Sequence, residues 1–152
     1  MTAADRSCFV YVTFIRTTPE KLWAALTDPE FIPRYWFGVQ IDCAWEKGSP
    51  WKMELPDGQL LDTGEILEIV PCQRMVIHWQ HQWKPEIKEE GPARCTLELE
   101  PMGAAVKLTI THEIDRPDSK LITAVSGGWP RILCNLKSLL ETGEPLFLEA
   151  HP

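Results

Sequence analysis

The sequence predicts one α+β domain over residues 7 to 148, in which a curved antiparallel sheet is closed by a long C-terminal helix. Three observations carry this reading. Two helical start signals follow the first β-like run; between Val39 and Ile114 apolar side chains recur with a period of two between turn formers; after Asp118 they recur at steps of three and four. Consecutive strands joined by short turns pair antiparallel, and helices confined to the two ends of such a run pack on one face of the sheet.

Cys8 to Arg16 alternate β-branched and aromatic side chains, the pattern of a first strand. Thr17 or Thr18 can cap the helix that follows, Pro19 suits its first position, and Glu20 favours its positive end. Leu22, Trp23 and Leu26 then recur at helical spacing. Asp28-Pro29-Glu30 repeats the start signal, and Phe31, Arg34 and Tyr35 predict a second short helix that ends before Gly38. Strands are predicted at Val39 to Cys43, Pro50 to Leu55, Leu60 to Val70, Met75 to Trp83, Arg94 to Glu100 and Ala105 to Ile114. Glu46-Lys47-Gly48, Pro56-Asp57-Gly58, Pro71-Cys72-Gln73, the polar stretch Lys84 to Pro92, and Pro101-Met102-Gly103 divide them. The Lys84 to Pro92 stretch is expected as a mobile loop over one end of the sheet.

The closing helix opens at Asp118 or Ser119 and carries Leu121, Ile122, Val125, Trp129, Ile132, Leu133, Leu136, Leu139 and Leu140 as an apolar stripe. Pro130 lacks the N–H that would bond back toward Ser126, and Gly127-Gly128 precedes it, so a kink or local break is expected there. Residues 1–6 and 149–152 are read as short tails.

Composition narrows the function classes. A net charge of −7 and a pI near 5.1, with no Lys/Arg cluster, disfavour nucleic acid as a partner. No apolar run approaches the roughly 20 residues of a bilayer span, so membrane insertion is not expected. The N-terminus lacks the basic-then-apolar pattern of a secretion signal, which predicts a cytoplasmic location. Cys8, Cys43, Cys72, Cys95 and Cys134 are scattered and odd in number, and are expected as small buried hydrophobes and not as disulfides or thiolate ligands. Oligomeric state is left open.

Three segments narrow the choice further. Thr18-Pro19-Glu20-Lys21-Leu22-Trp23 with Ala25-Leu26-Thr27-Asp28-Pro29-Glu30 resembles the first helix and turn of the START-like (SRPBCC) superfamily. Gly64-Glu65-Ile66-Leu67-Glu68-Ile69-Val70-Pro71 leading to Val76-Ile77-His78-Trp79 resembles its central hairpin. Gly128-Trp129-Pro130 with Leu133, Leu136-Lys137 and Leu140-Glu141-Thr142-Gly143 resembles the closing helix of one branch, the group similar to the C-terminal domain of the ATPase activator of the ninety-kilodalton heat-shock chaperone. The resemblance implies the helix-grip fold. It also implies three functions: binding of a small apolar ligand, lipid-like or aromatic, between sheet and helix; a chaperone partner in a stress response; or catalysis of the cyclase or aromatase kind. The first is preferred.

For that ligand, alternation puts Met75, Ile77, Trp79, His81 and Trp83 on one face of their strand, the face expected under the helix. The expected ligand-binding set is Trp36, Trp51, Met53, Ile77, Trp79, His81, Val125, Trp129 and Leu133. The ligand reading predicts an internal cavity of a few hundred cubic ångströms and fails if Trp79 and Trp129 pack solidly together. No cofactor, metal site or catalytic residue is assigned. His78 and His81 point to opposite faces of a strand, His112 and Glu113 likewise, and His151 falls in the tail. Asp62, Glu68, His81, His112 and Glu113 are the candidates for proton transfer, each expected as an exposed or satisfied strand residue.

Overall fold

The computed structural model describes residues 5–149. The predicted tails fall mostly outside them, at residues 1–4 and 150–152, His151 included. The chain runs β1 (Ser7–Ile15), α1 (Pro19–Thr27), α2 (Ile32–Tyr35), β2 (Gln40–Cys43), β3 (Pro50–Glu54), β4 (Leu60–Val70), β5 (Arg74–His81), α3 (Pro85–Lys88), β6 (Ala93–Met102), β7 (Ala105–Ile114) and α4 (Lys120–Thr142). After β1 the two short helices carry the chain to the far edge of the sheet. It then returns strand by strand, in the order β1-β7-β6-β5-β4-β3-β2, with every neighbouring pair antiparallel. This is the α+β helix-grip architecture.

Local chemistry sets the helix ends. The Thr18 hydroxyl oxygen accepts from the Lys21 N–H at 3.2 Å and Pro19 takes the first turn of α1, which buries Leu22, Ala25 and Leu26. Ser119 caps α4 by accepting from the Ile122 N–H. Gly143 ends α4 in the left-handed conformation, φ 89°, with its N–H on the Leu139 carbonyl. Period two is clearest in β7, where Val106, Leu108, Ile110, His112 and Ile114 point inward and the residues between them do not. Against that inner face α4 buries Leu121, Ile122, Trp129, Ile132, Leu133, Leu136 and Leu139.

Three expectations are corrected. Of the kink or local break expected at Pro130, the break is absent: α4 runs unbroken from Lys120 to Thr142. Buried apolar residues on both sides of the proline hold the helix to the sheet, which outweighs one missing hydrogen bond. Of the cysteines only Cys95 is buried; Cys8 is exposed on the outer side of β1, and Cys43, Cys72 and Cys134 are half-buried. Cys72 sits in the β4–β5 turn at φ 66°, away from any core face.

The Lys84 to Pro92 stretch is anchored. Its helical turn α3 buries Ile87, and Glu90 reaches the start of α4, accepting from the Ser119 hydroxyl at 2.6 Å and the N–H groups of Lys120 and Leu121 at 2.7 and 3.3 Å. Burial alone would raise the Glu90 carboxyl, but these hydrogen bonds and the nearby Arg116 guanidinium outweigh it and hold it below the usual carboxylate range. The folded form therefore favours ionised Glu90, a contribution present above pH about 4.5 and lost as acid protonates it. Glu90→Ala is expected to cost about 1–2 kcal/mol in urea denaturation and to speed amide exchange at residues 120–122. Unchanged exchange there would show that the contact is not a cap.

Candidate ligand site

A pocket of about 240 Å³ opens between the sheet and the first half of α4. Met53 of β3, Leu61 and Asp62 of β4, and Trp79 and His81 of β5 form its floor. Leu121, Ala124, Val125, Gly128, Trp129 and Ile132 of α4 form its roof, and Trp36, Trp83 and Ile87 close the sides. A second hollow of about 300 Å³ shares Trp36, Gly128 and Ile132 with it. Gly128 therefore lies at the junction, and a Cβ added there would meet nothing within 4 Å.

The polar groups of the floor come from one cross-strand pair. In the β4–β5 register Asp62 stands opposite His81 and Gly64 opposite Trp79. Asp62 Oδ1 accepts from the Trp79 indole N–H at 2.9 Å and meets His81 Nδ1 at 2.9 Å. The Lys84 backbone N–H reaches His81 Nε2 at 3.0 Å. A backbone N–H can only donate, so Nε2 is the acceptor and Nδ1 carries the proton that His81 gives to Asp62.

The predicted ligand residues divide into two groups. Trp36, Met53, Trp79, His81, Val125 and Trp129 line the open pocket. Trp51, Ile77 and Leu133 lie deeper, around a void of about 20 Å³, which is room for a single water. What separates them is the Trp79–Trp129 contact, edge to face with centroids 6.1 Å apart. The two rings touch, so a cavity enclosed between them, as the ligand reading expected, is not there, and the free volume lies outside them. Trp51 stacks on Trp79 at 4.5 Å and Trp36 on Trp129 at 5.2 Å, completing an aromatic wall. Trp83 is corrected too. β5 ends at His81, whose ring takes the Lys84 N–H and turns the chain, so Trp83 leaves the strand face and stands 52% exposed at the rim of the pocket.

Of the proton-transfer candidates only Asp62 and His81 reach the pocket. Glu68 and Glu113 form ion pairs, with Arg74 at 3.1 Å and with Arg94 at 2.7 Å. His112 is buried behind the wall, its Nδ1 accepting from the Trp129 indole N–H at 3.1 Å and its ring 4.8 Å from Trp79. Burial pushes its pKa down to about 3, so the ring is neutral, and its Nε2 has no partner. Asn135, which the apolar stripe hides, is equally structural. Its amide donates to the Tyr35 carbonyl at 3.3 Å and the Phe147 carbonyl at 2.9 Å, and its oxygen accepts from the Phe147 N–H. It ties α2, and with it the neighbouring Trp36, to α4. No group of His, Cys, Asp and Glu suited to a metal ion occurs among the described residues.

An antiparallel sheet gripped by one long helix, with a small apolar pocket between them, defines a START-like domain. A profile of the family described as Activator of Hsp90 ATPase homolog 1-like protein matches residues 16–141, and the chain belongs to that family. Among solved structures, the protein MLL2253 from Mesorhizobium loti is similar at 25% identity and a TM-score of 0.77, over 89% of this chain and 97% of that one. The Aha1 dimer from Colwellia psychrerythraea is similar at 22% identity and a TM-score of 0.72, over 90% and 98%. PFC0360w, an HSP90 activator from Plasmodium falciparum, is similar at 21% and 0.72, over 88% and 96%. The last two likenesses are of fold alone. No curated protein matches the sequence.

Proposed function

We propose that this protein binds a small apolar ligand, lipid-like or aromatic, in the pocket beneath the first half of α4. The observation that carries the reading is the pocket itself: about 240 Å³ walled by tryptophan and aliphatic side chains, with only Asp62 and His81 polar. Its volume lies below the roughly 300–1,000 Å³ of ordinary ligand sites, which suits a fused bicyclic ring or a short chain. Gly128 supplies the test, because it lines the pocket and a Cβ added there meets nothing within 4 Å. Gly128→Ala is expected to stabilise α4 by about 0.5–1 kcal/mol. Gly128→Leu is expected to lower the affinity for 2-(1-naphthyl)ethanol, followed by tryptophan fluorescence, by at least about ten-fold without a fall in thermal stability. An unchanged affinity in Gly128→Leu contradicts ligand binding at this place.

A second reading, a chaperone partner in a cytoplasmic stress response, draws on the family description and on one surface. Val10, Val12 and Phe14 stand 54, 43 and 49% exposed along the outer side of β1, an edge strand. Exposed apolar stripes of this kind mark protein contacts. On this reading the purified protein alters the ATPase rate of the ninety-kilodalton chaperone, and Val12→Glu with Phe14→Glu abolishes the effect. An equal effect from the double variant removes the stripe from the reading.

A further inference from the structure

Asp62 is 7% exposed, at the floor of an apolar pocket, and among the described residues no Lys or Arg pairs with it. Its hydrogen-bond donors are the Trp79 indole and His81. The indole is neutral, and the His81 ring, which accepts the Lys84 N–H at Nε2, donates to Asp62 from Nδ1. Among the described residues no Lys or Arg nitrogen lies within 4 Å of the Asp62 carboxylate, and both of these hydrogen bonds fall on Oδ1. Neutral donors fix the orientation of a carboxylate without cancelling its charge, and a buried charge lacking a counter-ion costs several kcal/mol.

Resting on the ligand-binding reading above, we infer that the pocket is built for an apolar ligand bearing one cationic amine, with the ammonium against Asp62. The walls agree with the floor. Trp36, Trp79, Trp83 and Trp129 line the same pocket as the carboxylate, and indole faces attract cations. One such ring already holds an ammonium at the rim, since Lys84 Nζ sits 5.3 Å from the Trp83 ring centroid. A net charge of −7 draws cations to the surface and repels carboxylate or phosphate ligands. A neutral apolar molecule of the same shape would fill the pocket and leave Asp62 unpaired.

Three probes of one shape separate the charge from the cavity: 2-(1-naphthyl)ethylammonium, 2-(1-naphthyl)ethanol and 1-naphthylacetate, titrated calorimetrically at neutral pH. The ammonium is expected to bind at least roughly ten-fold more tightly than the alcohol, and the carboxylate more weakly than either. Asp62→Asn keeps an oxygen for Trp79 and His81 and is expected to bring the ammonium down to the affinity that the alcohol shows on the same variant. The wild-type ranking stands by itself should that variant lose stability. Equal affinities for ammonium and alcohol on the wild-type protein overturn the amine inference and leave the cavity reading intact. No saturable binding of any of the three overturns both.

Discussion

Stability to urea is expected to fall by about 1.4 kcal/mol for each pH unit between pH 6 and 4.5, and His112→Gln is expected to flatten that slope. The folded protein holds His112 neutral, since burial pushes its pKa from 6.5 down to about 3. The unfolded chain takes up a proton at this residue below about pH 6.5, so the unfolded state binds more protons and gains on the folded one as pH falls. The contribution is whole above pH 6.5 and is lost progressively toward pH 3. By pH 4 it amounts to about 3 kcal/mol, a large part of the stability of a domain this size. Glu90 and Glu141, both held below the usual carboxylate range, add to the loss only below about pH 4.5. Protonation at Nδ1 would also remove the acceptor of the Trp129 indole N–H, so acid is expected to disturb the wall between pocket and core. Identical slopes in wild type and His112→Gln would mean that His112 is reached by water in the folded state.

The second large effect is at Gly64. It faces Trp79 across the β4–β5 ladder, where a Cβ would drive into the His78 carbonyl oxygen. Backbone against backbone has no side chain to yield, so the strands must part or the register slip, and a slip of one residue turns every side chain of a strand to the opposite face. Gly64→Ala is expected to cost more than about 3 kcal/mol and to displace Trp79. Gly127→Ala is the control: nothing lies within 4 Å of its added Cβ, and it is expected to stabilise the protein by about 0.5–1 kcal/mol. A Gly64→Ala protein as stable as wild type would show that the strands can move apart at this point.

The contrast between these positions shows which parts of the molecule are legible in the sequence. Period and turn chemistry place every strand and the helices α1, α2 and α4, because each depends on neighbours within a few residues. Thr18, Pro19, Ser119 and Gly143 act locally and can be read as caps. The Asp62–His81 pair is a matter of register, which the bulge between Ile66 and Glu68 shifts, and no local pattern reports a bulge. His112 meets Trp129 only because the helix crosses the sheet where it does, and Asn135 looks like an interruption of the apolar stripe until Tyr35 and Phe147 arrive beside it. The same limit explains the cavity. Alternation correctly puts Trp79 under α4 beside Trp129, but whether two large rings enclose a space or fill it depends on their angle and separation. They fill it, which moves the open volume outward to Trp36, Trp83 and Val125.

The central claim is that this outer pocket takes a small apolar ligand, and the seven tryptophans make it measurable. Indole ¹H–¹⁵N signals recorded during titration with 2-(1-naphthyl)ethanol are expected to shift saturably for Trp36, Trp79, Trp83 and Trp129, while Trp23 stays in place. Shifts that fail to saturate, or that leave the four pocket indoles unmoved, would contradict it.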